Sequence, residues 1–180
     1  KMHGNVAIED IKKKNLDGIK RGFANLDKHI DNMKSFGQSV VVALNKYGFD
    51  SDDELELIRT HCQEMGVGFA LNESFAKGGE GAIELAKEIA KWVDKKPSAP
   101  LNMTYADTDS VEEKINKIAK NIYGADSVIL SSKAQKNLNR IKRLGLEYYP
   151  VCIAKTQYSF SDNAHAYGTP SGFKFTINDL

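Results

Sequence analysis

Apolar positions along this chain follow two patterns in turn, a three-and-four spacing and short continuous runs, and their alternation predicts helices separated by buried strands. After Asn15, an N-cap residue, Leu16, Ile19, Phe23, Leu26, Ile30 and Met33 mark one buried helix face, and Gly37 ends it. Residues 39–44 are continuously apolar and valine-rich, which predicts a strand covered on both faces and central in a parallel sheet. Ser51 and Glu54 form a capping box ahead of Leu55, Ile58, Cys62 and Met65, with Gly66 as the stop. A strand over 67–71 and a helix over 81–93, ending near Lys95-Lys96-Pro97, complete an α-β-α-β-α order.

Residues 97–108, with Pro97 and Pro100, break the pattern as either a linker or an extended excursion. A second capping box, Ser110 with Glu113, opens a helix faced by Val111, Ile115, Ile118 and Ile122 and stopped at Gly124. A strand over 128–130, a helix over 133–144, a strand over 151–154, a polar loop over 156–171 and a strand over 173–177 follow. Strands alternating with helices predict an α/β fold, a mainly parallel sheet with helices on both faces.

Composition narrows the function more than the fold. Of 180 residues, 41% are hydrophobic and 27% charged, as in a globular domain. The 25 basic and 24 acidic side chains nearly cancel, so no field favours nucleic acid or an acidic membrane surface, and neither partner is expected. No apolar run approaches the roughly 20 residues that cross a bilayer. Cys62 and Cys152 lie far apart in apolar patterns and are expected to be reduced core thiols, which fits a cytoplasmic protein. The opening Lys1-Met2-His3-Gly4 has neither a signal-peptide core nor an initiator at position 1, so a piece of a longer chain is expected.

Ligands of open parallel sheets bind at the carboxyl ends of strands, which directs attention to the segments after Leu44 and Leu71. Asn45-Lys46-Tyr47-Gly48-Phe49-Asp50 and Asn72-Glu73-Ser74-Phe75-Ala76-Lys77-Gly78-Gly79-Glu80-Gly81 each put an aromatic in a loop. Two rings held apart by neighbouring strands make a slot for a flat heterocycle; alternatively, Tyr47 and Phe75 plug the mouth of the sheet. The glycines before the expected helix favour an anion, but no GxxxxGK[ST] phosphate loop occurs, so a complete ATP site is not expected. Asn45-Lys46 is not the guanine-reading pair of GTPases, because position 48 is glycine where that motif needs aspartate. The four histidines show no spacing that converges on a metal, so no metal ligand and no catalytic residue is assigned. The loop 155–162 has side chains to bind either a ligand or its own turns.

Six strings carry a family resemblance. Lys1-Met2-His3-Gly4, Ala24-Asn25-Leu26-Asp27-Lys28-His29-Ile30, Val40-Val41-Val42-Ala43-Leu44-Asn45, Ala76-Lys77-Gly78-Gly79-Glu80-Gly81, Ile122-Tyr123-Gly124-Ala125-Asp126 and Ala154-Lys155-Thr156-Gln157-Tyr158-Ser159-Phe160-Ser161-Asp162 closely resemble formate–tetrahydrofolate ligases, also called formyltetrahydrofolate synthetases. The resemblance runs from end to end and implies an internal piece of a longer enzyme, without its glycine-rich ATP loop and its last strands. It implies that ATP, with magnesium, phosphorylates formate to formyl phosphate, which N10 of tetrahydrofolate attacks to give 10-formyltetrahydrofolate. It also implies a homotetramer. The family's pterin clamp, two rings and a leucine, falls on Tyr47, Phe75 and Leu71. Between strand and clamp, Asn45 is expected as a polar orienter and Gly78 and Gly79 as close-approach backbone. Both rings differ from the commonest family residues, and Gly48 stands where proline is frequent. Lys77 meets either the folate's glutamate tail or solvent.

In that reading residues 1–37 close the nucleotide-binding domain, and 38–180 form the folate-side domain with a sub-boundary near 96–109. The fragment holds no bound cofactor and is inactive alone. The competing expectation is a stand-alone, non-catalytic folate-binding or structural α/β module.

Overall fold

A computed structural model describes residues 1–180, which divide into two compact units, Lys1–Asn102 and Met103–Leu180. In the first, helix α1 (Leu16–Ser35) starts where Asn15 Oδ1 accepts the Gly18 N–H at 2.7 Å, capping one of the free amides of the first turn. Strand β1 (Val41–Asn45), helix α2 (Asp52–Glu64) and strand β2 (Gly68–Asn72) follow, then the single turn α3 (Ser74–Lys77) and helix α4 (Ile83–Lys95). Strands β1 and β2 are parallel neighbours, with Val41 opposite Gly68 and Asn45 opposite Asn72. One face of the pair, with Val42, Leu44, Phe69 and Leu71, packs on Ile30 of α1 and Cys62 of α2. On the other, a Cβ at Gly68 would meet the Trp92 indole of α4 at 2.5 Å, so the missing side chain lets α4 approach.

The second unit holds α5 (Val111–Asn121), β3 (Ser127–Leu130), α6 (Ser132–Arg143) and β4 (Lys174–Ile177). The strands are again a parallel pair, with Val128 opposite Phe175. Ile115, Ala119, Ala134, Leu138 and Phe175 form its core, to which both helices contribute. Lys114 of α5 is 1% exposed, and its ammonium donates to the carbonyls of Asp107, Tyr148 and Tyr149 at 3.0, 2.6 and 3.2 Å. One buried cation thus ties two irregular segments to the helix, a role that the polar letter in the pattern does not reveal.

The α/β class and the parallel pairing hold, but several expected details differ. Strand β1 is not central in this chain: it bonds to β2 alone, because an apolar run reports covered faces and not the number of neighbours. Residues 151–154 join no ladder, so β3 pairs directly with β4. Met33 is 46% exposed while Asn32 is buried, since the buried face of α1 drifts at its last turn. The helix expected from Gly81 begins at Ile83, after a 3-10 stretch over Gly78–Ala82. Residue 37 is no structural boundary, because Ile30 of α1 shares a core with Phe69 of β2. The division at Asn102 and Met103 falls inside the irregular stretch.

Cys62 has no exposed surface, and burial, with Asp27 nearby, pushes its thiol from 9.0 up to about 11. A folded-state value above the unfolded one means the contribution is complete below pH 9.0 and is lost as pH rises toward about 11. Urea midpoints are therefore expected to fall across that window, and Cys62→Ala, less stable at neutral pH, is expected to fall less steeply. Cys152 is exposed, contrary to the expectation of a second core thiol.

Candidate functional site

Register builds this site. Because Asn45 and Asn72 end neighbouring parallel strands, the two loops that follow leave the sheet side by side. Asn72 Nδ2 donates to Asn45 Oδ1 at 2.8 Å, and Asn72 Oδ1 accepts from the Ser74 hydroxyl at 2.6 Å and its N–H at 3.2 Å. The Lys46 N–H donates to the Asn72 carbonyl at 3.0 Å. These bonds fix the roots of both loops.

Tyr47 opens a tight turn: its N–H donates to Asp50 Oδ2 at 2.8 Å, and its carbonyl accepts the Asp50 N–H at 3.1 Å. The Tyr47 ring, 61% exposed, stacks on Phe49 with centroids 5.3 Å apart and planes 9° apart. Phe49 thus joins the site as a residue that the sequence reading passed over. Both rings stood in one hexapeptide, but nothing in the pattern tells which loop side chains stack. Phe75, on the one-turn α3, is 104% exposed, an apolar ring wholly in water. Tyr47 and Phe75 therefore rise from adjacent strand ends, yet the ring stacked on Tyr47 is Phe49.

The glycine segment closes on itself. The Glu73 N–H donates to the Gly81 carbonyl at 3.0 Å, and a Cβ on Gly81 would lie 2.4 Å from the Glu73 carbonyl carbon, so only glycine permits this closure. Gly78 has φ 59° and ψ −141°, a conformation that side chains disfavour. A Cβ on Gly78 or Gly79 would meet nothing within 4 Å, leaving their backbone uncovered. Lys77 Nζ bonds Glu73 at 2.8 Å, and Lys46 approaches the same carboxylate at 3.6 Å. The hydrogen bond from Lys77 foremost holds the Glu73 carboxyl below its usual range. Leu71 packs on the core face of β2, on the Ile30 and Cys62 side.

Beside Asn45 opens a cleft of about 380 Å³, lined also by Lys1, His3, Phe23, Asn25 and His29. Burial foremost, with His29 nearby, holds the His3 imidazole below its usual range. His61 takes no part in it: Nε2 lies 2.6 Å from Asp27 Oδ1, and its ring stacks on Phe23 at 3.7 Å. No group of three His, Cys, Asp or Glu side chains is arranged to hold a metal ion. No helix is long and apolar enough to cross a membrane.

In the second unit the loop 155–162 binds largely itself. Lys155 Nζ donates to the carbonyls of Thr156, at 2.6 Å, and Ser159. Ser161 Oγ accepts the Asn163 N–H at 3.0 Å and donates to the Asn163 carbonyl at 3.1 Å. Asp162 accepts the Thr176 N–H at 3.1 Å. Of the two expectations for this loop, its own turns account for these side chains.

A family model described as formate–tetrahydrofolate ligase matches residues 1–180. The chain is 48% identical over 180 residues to the formate–tetrahydrofolate ligase of Bacteroides thetaiotaomicron, covering all of this chain and 32% of that protein. It is 51% identical over 180 residues to the ligase of Phocaeicola vulgatus, again with 100% and 32% covered. With the Campylobacter concisus ligase it shares 48% identity over 181 residues, covering 100% of this chain and 33% of the relative. The chain therefore spans about a third of the length of these relatives. By a match that leaves none of its residues out, it belongs to the formate–tetrahydrofolate ligase family.

Proposed function

We propose that this chain forms the tetrahydrofolate side of an ATP-dependent ligase that joins formate to tetrahydrofolate through formyl phosphate, giving 10-formyltetrahydrofolate. In this reading Phe75 offers one face to the pterin and Tyr47, backed by Phe49, offers the other. The observation that carries it is the full exposure of Phe75 on a loop rooted beside the Tyr47 turn. A ring held in water makes none of the contacts that a core ring makes, whereas a flat heterocycle laid against it recovers apolar area and stacking. The uncovered backbone of Gly78 and Gly79 suits close approach of the same ligand, and Asn45, held by Asn72, suits a polar orienter.

Chemistry at the formyl carbon needs a nucleotide site, with its phosphate cradle and magnesium, to place and neutralise charge. This segment, without a phosphate loop, is inactive by itself, and its activity belongs to the complete cytoplasmic enzyme, a homotetramer. The test uses a complete ligase carrying this segment. Phe75→Ala is expected to raise the KM for tetrahydrofolate about tenfold, equivalent to about 1.4 kcal/mol, with the KM for ATP unchanged. Lys77→Ala, which removes only an exposed pair with Glu73, is expected to stay within about twofold. An unchanged tetrahydrofolate KM in Phe75→Ala would refute the assignment.

A further inference from the structure

We propose that Phe49 is a positioning residue for tetrahydrofolate: by stacking on Tyr47 it fixes that ring at the angle at which it receives the pterin, without touching the substrate itself. This role rests on the clamp reading, in which Tyr47 gives one of the two faces. The backbone of the turn is well held, since the Tyr47 N–H donates to Asp50 Oδ2 at 2.8 Å and the Tyr47 carbonyl accepts the Asp50 N–H at 3.1 Å. These bonds set the path of the chain and leave the side-chain torsions of Tyr47 free. Gly48 brings no wall, because it has no side chain and a Cβ there would meet nothing within 4 Å. What holds the Tyr47 ring is the parallel Phe49 ring, with centroids 5.3 Å and planes 9° apart, inside the range of offset aromatic pairs.

Phe49 is the better anchored of the two rings. It is 41% exposed against 61% for Tyr47, and the Lys12 ammonium lies over it at 6.0 Å from the centroid, at the outer limit of a cation–π contact. Support therefore runs from the segment before α1 through Phe49 to Tyr47. With one face on Phe49, the Tyr47 ring keeps its other face for a flat heterocycle. Locking matters because an exposed ring with no neighbour samples several rotamers, and a ligand that needs one of them loses affinity to the ordering of the rest. The Phe75 ring, 104% exposed, has no such support. Tyr47 is thus the fixed face of the clamp and Phe75 the adjustable one.

A double-mutant cycle in the complete ligase tests this role. Phe49→Ala is expected to raise the KM for tetrahydrofolate about fivefold, the effect of freeing one ring, with kcat, the KM for ATP and thermal stability intact. Phe49→Trp, which restores a flat face, should return the KM to within about twofold of the parent, whereas Phe49→Leu should not. In a Tyr47→Ala background, where no ring remains to be held, Phe49→Ala should add nothing. An effect that persists in that background overturns the proposal, because Phe49 would then touch the substrate itself. Rescue by leucine equal to that by tryptophan overturns it too, as does a parental KM in Phe49→Ala when Tyr47→Ala raises it. A parental KM in Tyr47→Ala instead removes Tyr47 from the clamp, and the role of Phe49 with it.

Discussion

Replacing Glu54 by leucine is expected to destabilise the Lys1–Asn102 unit by about 3–5 kcal/mol, the usual cost of removing one partner from a buried ion pair. Glu54 is 2% exposed and accepts from Lys1 Nζ at 2.8 Å, the Asn15 N–H at 2.7 Å and the Ser51 N–H at 3.3 Å. One carboxylate therefore joins the first residue, the start of α1 and the start of α2. Leucine matches its bulk but leaves an ammonium and two amides facing an apolar side chain. Burial alone would raise the Glu54 carboxyl, yet the hydrogen bonds from Lys1, Asn15 and Ser51 outweigh it and hold it below 4.5. A folded-state value below the unfolded one makes this contribution full above about pH 4.5, and it is lost as pH falls through the folded value. Denaturant unfolding checks both points: the midpoint should drop sharply in Glu54→Leu, and Glu54→Gln should flatten the acid limb.

The largest effect on substrate is expected from a single methyl group at position 81. Gly81→Ala places a Cβ 2.4 Å from the Glu73 carbonyl carbon, and backbone on both sides cannot yield as a flexible side chain would. The bond from the Glu73 N–H to the Gly81 carbonyl must open, and Phe75 sits within the loop that this bond closes. The KM for tetrahydrofolate in the complete ligase should rise more than tenfold, above the roughly tenfold expected for Phe75→Ala, because the whole loop moves. Gly79→Ala is the control, since its Cβ meets nothing within 4 Å in the free protein. It should leave thermal stability intact and weaken tetrahydrofolate alone. A thermal loss in Gly79→Ala equal to that in Gly81→Ala would contradict this account of the loop.

Helices were the legible part of the sequence, for a physical reason. Their signals are local: Asn15, Ser110 with Glu113, and Gly37, Gly66 and Gly124 at positive φ mark ends that depend on a few neighbouring residues. Strand partners are not local. Residues 39–44 and 151–154 had equally good strand composition, yet the first found β2 and the second found no ladder. Within the candidate site, the side-by-side order of the two loops follows from parallel strands of equal register, whereas the sequence left the exposure of Tyr47 and Phe75 open against a plug at the mouth of the sheet. The stacking of Phe49, the pairing of Lys77 with Glu73 and the burial of Glu54 and Lys114 depend on side-chain geometry that no spacing rule encodes.

Whether a flat ring at position 75 grips the pterin is decided most directly by comparing the tetrahydrofolate KM of Phe75→Trp and Phe75→Leu in the complete ligase. Stacking predicts that tryptophan stays within about threefold of the parent, while leucine, bulky but not planar, loses about tenfold. Equal KM values for the leucine variant and the parent would show that no ring is needed there.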